Sequence, residues 1–98
     1  AVTLVLEEGT VVRREYDVTL ADGTHIEFSA DGRWREVESR GALPQGIVPP
    51  SITTYVAKHY AAYSIVRIER SRREWEVDLS NGLEITFDRR FRVISIDD

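Results

Sequence analysis

The chain of 98 residues carries 17 acidic and 13 basic side chains, so its net charge is −4, and it contains no cysteine. This length predicts one domain over residues 1–98, and the missing cysteines exclude disulfides, thiolate catalysis and cysteine-ligated zinc sites. The acidic balance argues against a nucleic-acid partner, and no apolar run approaches the roughly 20 residues of a membrane span.

Four stretches in the first 38 residues alternate apolar with polar side chains. Alternation with a period of two residues is typical of strands that bury one face. Asp22-Gly23 and Asp31-Gly32 favour tight turns between these stretches, because glycine readily adopts a positive φ. The pattern predicts four antiparallel strands joined as a meander, at residues 2–7, 11–20, 24–29 and 33–38.

Residues 39–49 contain several prolines and glycines and are predicted to be a connector. After them, apolar side chains recur at the spacing of an amphipathic helix: Ile52, Tyr55, Val56, His59, Tyr60 and Tyr63. Pro50 suits the first turn of that helix, because an N–H group there has no intrahelical partner. These features predict one helix over about residues 50–62 that packs on the sheet.

The second half of the chain returns to alternation, with Asn81-Gly82 flanked by alternating stretches on both sides. This is the strongest short-range signal for a hairpin. Strands are predicted at residues 65–70, 73–80, 83–88 and 92–96. The predicted fold class is α+β, an antiparallel sheet of about eight strands from two four-strand meanders with one helix on one face. The predicted core residues are Tyr16, Val18, Leu20, Ile26, Phe28, Ile52, Tyr55, Val56, Tyr60, Trp75, Val77, Leu79, Ile85, Phe87, Ile94 and Ile96.

A shift of 59 residues aligns residues 13–38 with 72–97, and nine of these 26 pairs are identical. The similarity predicts a tandem repeat: unit one is residues 1–38, the connector is 39–49 and unit two is 50–98. Unit one lacks a counterpart of the helix, so the apolar side chains of its strands are expected to need another cover. A second copy of the chain is the favoured cover, which makes a homodimer the expected assembly. The alternatives are that the single helix straddles both halves of the sheet, with the connector folded over the remainder, and that a helix before Ala1 was removed.

The repeated hairpin motif, an aromatic residue followed by Val-x-Leu-x-(Asn/Asp)-Gly-x-x-Ile-x-Phe, occurs at residues 16–28 and 75–87. With Leu43-Pro44 and the helix pattern, it resembles the PepSY-like periplasmic proteins of Gram-negative gut bacteria, whose fold resembles that of the β-lactamase inhibitory protein. The resemblance covers roughly residues 11–98. It implies a periplasmic or secreted location, with the signal peptide already removed, and an inhibitor-like or regulatory role. Two features depart from the pattern of that family: the first helix is missing, and Phe91 stands where the other unit has Gly32. The inhibitory protein's disulfides are also missing, so its target is not carried over.

The predicted function is a non-enzymatic module that binds an unidentified protein partner through the open, polar face of the sheet. If Ile94 and Ile96 face the core, strand parity places Trp34 on that open face. The alternative is a bulged strand in which Trp34 covers the edge of the core. The candidate partner-binding residues are Trp34, Glu15, Asp17, Glu27 and Glu76.

No catalytic residue, cofactor or metal ion is predicted. His25 and His59 are each expected at the surface or at its boundary, although His25 alternates with Glu27 and leaves a weak metal site open. The sequence contains no Gly-x-Ser-x-Gly elbow and no phosphate-binding loop. Two alternatives remain: a small metal-dependent or hydrolytic enzyme, and a structural repeat fragment of a longer or engineered chain.

Overall fold

The computed structural model describes residues 2–6, 16–44 and 46–98, so the predictions for residues 7–15 lie outside the described part of the chain. Its elements are β1 (Val2–Leu6), β2 (Tyr16–Leu20), β3 (His25–Phe28), β4 (Trp34–Glu38), α1 (Pro50–His59), β5 (Ile65–Arg70), β6 (Glu74–Leu79), β7 (Glu84–Asp88) and β8 (Val93–Asp97). Strands that follow one another in the chain are neighbours in the sheet. Seven antiparallel strands, β2 to β8, together with α1 confirm the α+β class, and the backbone of β1 pairs with β2.

Equivalent turns close the β2–β3 and β6–β7 hairpins. In the first, the N–H of Leu20 donates to the carbonyl of Thr24 over 2.8 Å, and in the second Leu79 donates to Leu83 over the same distance. A glycine with a positive φ occupies each turn, which is the conformation that glycine adopts without a steric penalty: Gly23 at 92° and Gly82 at 89°. The turn residues predicted from the sequence therefore form both hairpins.

Helix α1 ends at His59, three residues before the predicted end. Its first turn is closed by N–H groups of Ile52 and Thr53 that donate to the carbonyl of Pro49. At the other end Tyr60 leaves the helical conformation with φ −139° and ψ 45°, although its N–H still donates to Val56. This turn of the backbone lets the Tyr60 ring pack against the core, a tertiary contact that the helical spacing could not reveal.

The core lies between α1 and the middle of the sheet. Its fully buried side chains are Val37, Ile52, Val56, Ile68, Val77, Leu79, Ile85 and Phe87. Six of them were predicted, and Val37 and Ile68 were not. The predicted core residues Ile26, Tyr55, Tyr60 and Trp75 are half-buried and pack against this cluster. The cluster is therefore centred on β4 to β7, under the helix.

A β-bulge decides the position of Trp34. Strands β3 and β4 pair Ile26 with Val37 and Phe28 with Trp34, and the register shifts by one residue after Glu27. The extra residue puts Trp34 and Val37 on the same face although they lie three positions apart. Trp34 consequently packs against the core. Its predicted place on the open polar face is wrong, and the bulged alternative is confirmed.

The same bulge between β7 and β8 corrects two core predictions. Ile94 is the extra residue of the bulge and is 52% exposed. Ile96 pairs with the buried Ile85 but stays 44% exposed, because β8 forms the edge of the sheet and has no further strand beside it. Neither isoleucine belongs to the core.

Strands β2 and β3 keep part of their apolar face accessible. The side chains of Tyr16, Val18, Leu20 and Phe28 are half-buried rather than buried. These side chains lie away from β4 to β7, which α1 covers. The prediction that they belong to the buried core is therefore wrong. Among the described residues, no helix is long and apolar enough to cross a membrane.

Candidate functional site

The face of the sheet opposite α1 carries two rows of residues that are paired directly from strand to strand. Row one runs from β2 to β8 through Asp17, Glu27, Glu36, Glu69, Glu76, Thr86 and Ser95. Row two runs beside it through Thr19, His25, Glu38, Arg67, Asp78, Glu84 and Asp97. We call these two rows the acidic face, because most of their side chains are carboxylates.

Row one places like charges directly opposite one another. Asp17 faces Glu27, Glu27 faces Glu36, Glu36 faces Glu69, and Glu69 faces Glu76. The Cβ atoms of directly opposed residues are about 4.5–5.5 Å apart, and like charges at that spacing destabilise a sheet. The chain therefore maintains an arrangement that its own stability does not favour.

Arg67 is the cation that holds the centre of the acidic face together. Its Nε lies 2.6 Å from Oε2 of Glu36, and its Nη1 lies 3.0 Å from Oε2 of Glu76. Its Nη2 lies 3.5 Å from Oε1 of Glu69, and its Nη1 lies 3.6 Å from Oδ2 of Asp78. Burial on its own would lower the pKa of the Arg67 guanidinium, but the hydrogen bonds and the surrounding carboxylates raise it above its usual value. Arg67 thus stays charged and neutralises part of the surrounding negative charge.

The carboxylates on β6 and β7 are compensated less completely. Burial raises the pKa of Asp78, with Arg67 opposing the shift and nearby glutamates adding to it. Its Oδ1 is buried without a hydrogen-bond partner among the described residues. The negative charge of Glu76 raises the pKa of Glu84. Glu76, Asp78 and Glu84 each place an oxygen within 4.8 Å of the others, so this corner has excess negative charge.

Replacing Asp78 with asparagine is expected to stabilise the fold at pH 7 by about 0.5–1 kcal/mol. The folded-state pKa of Asp78 lies above its ordinary value, so the ionised form costs free energy in the fold. That cost appears as the pH rises through the raised pKa and is absent below the unfolded-state pKa. Chemical denaturation should therefore show that the variant's gain in the free energy of unfolding shrinks as the pH falls from 7 to about 4.

Asp98→Asn is the matched control, since it removes the same charge from an exposed terminal residue. A gain as large as that of Asp78→Asn would assign the effect to net charge alone. Destabilisation by Asp78→Asn at pH 7 would contradict the excess of negative charge at this corner.

Three predicted partner-binding residues lie together in row one: Asp17, Glu27 and Glu76. Glu15 lies outside the described residues, and Trp34 is on the opposite face. The centre of the acidic face, with Glu36, Arg67 and Glu69, was not predicted. Strand alternation is the signal that could have placed these side chains on the outward face. Their meeting depends on the pairing of β4 with β5 across the connector, which local patterns do not specify.

The histidines do not form a joint metal site. His25 lies in row two, where its Nδ1 is 3.0 Å from Oγ1 of Thr19 and its Nε2 is 3.4 Å from Oδ1 of Asp17. His59 lies at the end of α1, with its ring 4.5 Å from that of Tyr55. The two histidines are thus on opposite sides of the sheet. The Thr19–His25–Asp17 series has the order of a hydrolytic triad but lies on an open strand surface.

A cavity of about 610 Å³ lies between α1 and the connector. Its lining includes Leu43, Val48, Ala57 and Ile65 and contains no charged side chain among the described residues. Acid–base catalysis and metal binding both need titratable or ligating groups. Among its described lining residues the titratable group is the phenol of Tyr63, beside the hydroxyls of Thr53, Thr54 and Ser64. The cavity thus offers apolar surface and hydroxyl groups without a carboxylate or an imidazole.

Solved structures of similar proteins share this architecture. A "putative periplasmic protein from DUF2874 family" of Bacteroides vulgatus is 39% identical, with a TM-score of 0.83, and the match covers 99% of this chain and 75% of that one. A "putative calcium-regulated periplasmic protein" of Bacteroides thetaiotaomicron is 31% identical over 99% of this chain and 79% of that one, with a TM-score of 0.87. A "putative periplasmic protein of unknown function" of Bacteroides vulgatus is 33% identical, also with a TM-score of 0.87. That match covers 97% of this chain and 76% of that one.

No curated protein matches the chain. The sequence profile of one protein family matches residues 14–95, and that family is described as "Putative beta-lactamase-inhibitor-like, PepSY-like". Its proteins are inhibitor-like or of unknown function, and it is not a known enzyme family. The match includes β2 to β7, α1 and the first three residues of β8, which are the elements that build both the core and the acidic face. The chain belongs to the PepSY-like, β-lactamase-inhibitor-like family.

Proposed function

We propose that the chain is a non-enzymatic periplasmic or secreted binding module, inhibitor-like or regulatory, that engages a protein partner through the acidic face. The observation that carries the proposal is the series of like-charged cross-strand pairs in row one. By charge complementarity, the partner presents a surface rich in lysine and arginine.

The energetics of the acidic face support this function. A local arrangement whose repulsion is only partly offset within the fold, here by Arg67, is a frequent sign of a functional surface. Basic side chains of a partner would relieve the repulsion between the opposed carboxylates. Six strand spacings of about 4.8 Å give the seven strands a width of about 29 Å, which accommodates a standard protein interface of roughly 800 Å² per partner.

Glu84→Lys separates binding from stability. Glu84 faces Asp78 and Asp97 across the strands, so a lysine there replaces like-charge pairs with opposite-charge pairs and is expected to raise the melting temperature by a few degrees. The same change removes two units of negative charge from the acidic face. The immobilised chain should retain a basic protein from a Bacteroides vulgatus periplasmic extract, and Glu84→Lys should weaken that retention at least about tenfold.

Asp98→Lys makes the same change in charge outside the two rows and should leave retention nearly unaltered. Salt should weaken retention of the partner, because screening shortens the reach of exposed charges. If Glu84→Lys and Asp98→Lys weaken retention of the partner equally, or if neither variant changes it, the acidic face is excluded as the binding surface.

Regulation by Ca²⁺ is a second candidate function. It is favoured by the description of the Bacteroides thetaiotaomicron relative as "calcium-regulated", together with the three carboxylates Glu76, Asp78 and Glu84. Hard oxygen ligands of this kind suit Ca²⁺. A bound divalent cation would also offset the repulsion that raises the pKa of Glu84.

Calorimetric titration of the metal-free chain with CaCl₂ tests this candidate. Saturable heat and a higher melting temperature are expected for the parent chain, and both should be lost in Asp78→Asn. MgCl₂ should act more weakly, since Mg²⁺ gives up its hydration water reluctantly. Absence of binding at millimolar CaCl₂, or unchanged binding in the variant, would remove Ca²⁺ from the proposal.

The enzyme alternative has weaker support, because the histidines are separated and the Thr19–His25–Asp17 series lines neither large cavity. If the chain hydrolyses members of a panel of ester and peptide substrates, and His25→Ala abolishes that activity, the enzyme alternative would be supported. The alternative of a structural fragment is tested by comparing the intact mass with the encoding gene.

The sheet is further proposed to contain two tandem units, β1–β4 and β5–β8. Both bulges fall at the same place in their unit, after Glu27 and after Thr86, which is an offset of 59 residues. A better superposition at another offset would contradict the repeat. The half-buried apolar face of β2 and β3 supports a homodimer, and a clean monomer in sedimentation equilibrium would exclude that assembly.

A further inference from the structure

A cleft of about 830 Å³ opens at the end of the sheet where β4 begins and β5 ends, and Glu69 of the acidic face is the one member of the two rows in its described lining. Both tryptophans of the chain line it, with ring centroids 6.2 Å apart in an edge-to-face arrangement. Arginines from three successive turns surround them. We define the arginine cleft by Arg33, Trp34, Arg70, Arg72, Trp75 and Arg89.

Most of these guanidinium groups have no ion-pair partner among the carboxylates that the structure describes. Arg70 lies 4.1 Å from the centroid of the Trp34 ring, and its Nε donates to the Trp34 carbonyl over 2.8 Å. Arg89 donates to the carbonyl of Arg72. Within the described part of the chain, Arg33, Arg70 and Arg72 form no ion pair with a carboxylate. A chain with net charge −4 thus keeps a cationic cleft.

The acidic side chains at the cleft compensate its positive charge only in part. Glu69 lies in row one, within reach of Arg67, and the positive charge of Arg35 is paired with Glu27 of the same row. Glu74 is the remaining carboxylate of the lining. Burial, and then the positive charge of Arg33, lowers the pKa of Arg70, while the negative charge of Asp31 opposes the shift. An anion bound beside Arg70 would add to that compensation.

We propose that the arginine cleft binds an acidic peptide segment of a partner chain. Guanidinium forks match carboxylates in geometry and charge, and tryptophan rings supply the apolar contact that anchors such segments. The six residues that define the arginine cleft all lie outside the two rows of the acidic face, so the inference does not rest on the proposed function.

The spacing of the arginines favours a peptide over a single oxyanion. Arg33 precedes β4 and Arg89 follows β7, which places them three strand spacings, or about 14 Å, apart. A lone phosphate contacts only one part of such an array. An extended segment of about four residues spans it at about 3.3 Å per residue, with several carboxylates in reach of different arginines.

Intrinsic tryptophan fluorescence tests the proposal, because both tryptophans lie in the cleft. Titration of the intact chain with a hexaglutamate peptide should change the emission saturably, whereas hexalysine and inorganic phosphate, as separate arms, should not. The double variant Arg33→Gln/Arg72→Gln should raise the midpoint about tenfold or more, and Arg72→Gln alone about threefold. Calorimetry with the same peptide provides a second readout independent of fluorescence.

Arg73→Gln is the matched control, since Arg73 is an exposed neighbour of Arg72 that does not line the cleft. It should leave the midpoint unchanged. Equal weakening by Arg73→Gln, or no binding of hexaglutamate by either method, would overturn the proposal. Saturation by phosphate at concentrations where the peptide is inert would also overturn it, in favour of a single-oxyanion site.

Discussion

Ile68→Ala is expected to lower the free energy of unfolding by about 3–4 kcal/mol. Ile68 lies on β5 between Val37 and Val77, and its side chain is completely buried. Truncation removes buried methyl groups and leaves a cavity that closely packed neighbours cannot fill. Small domains are stable by only about 5–15 kcal/mol, so urea denaturation should show a marginally stable fold.

Ile94→Ala provides a control of identical chemistry. Ile94 is 52% exposed in the β7–β8 bulge, so its truncation should cost less than about 1 kcal/mol. The strand pattern alone ranks these two residues in the opposite order, since it assigns Ile94 and not Ile68 to the core. Equal losses, or a larger loss for Ile94→Ala, would contradict the placement of the core.

Arg67→Gln is expected to destabilise the chain by about 2–3 kcal/mol at pH 7. The substitution leaves Glu36, Glu76 and Asp78 close together without their shared cation. Their mutual repulsion should then raise their folded-state pKa values. A raised carboxyl pKa makes stability greatest at low pH and diminishes it as the pH rises through that pKa. The deficit should therefore shrink between pH 7 and about pH 4.5 in parallel denaturation curves.

Arg92→Gln is the control for loss of an arginine. The Nε of Arg92 lies 2.8 Å from Oδ2 of Asp88, but its side chain is 70% exposed, and exposed pairs contribute about 0–1 kcal/mol. A cost for Arg67→Gln no greater than that of Arg92→Gln would show that Arg67 does not hold the acidic face together. A deficit that grows toward low pH would contradict the proposed repulsion.

Local patterns in the sequence were sufficient for most of the fold. Alternation predicts β5 over residues 65–70, where the structure has it. Asp22-Gly23 and Asn81-Gly82 form the hairpin turns, because their geometry depends on adjacent residues. The end of α1 was placed too late, since the departure of Tyr60 from the helix is driven by packing against the core.

The bulges explain why the faces of β4 and β8 were assigned incorrectly. One extra residue reverses the parity of every side chain beyond it, so Trp34 moves to the core face and Ile94 becomes exposed. The acidic face was predicted only in part for a related reason. Asp17, Glu27 and Glu76 follow from alternation within hairpins, whereas Arg67 meets Glu36 only after β4 pairs with β5 across the connector.

The position of the binding surface is tested most directly by NMR titration of the ¹⁵N-labelled chain with the basic protein retained from the periplasmic extract. Binding through the acidic face predicts amide shift changes that concentrate on its two rows, including Glu27, Glu69 and Glu84, and that vanish at high salt. The amides of α1 and the connector should remain nearly unchanged. Shift changes confined to α1 and the connector, with both rows unaffected, would contradict the account.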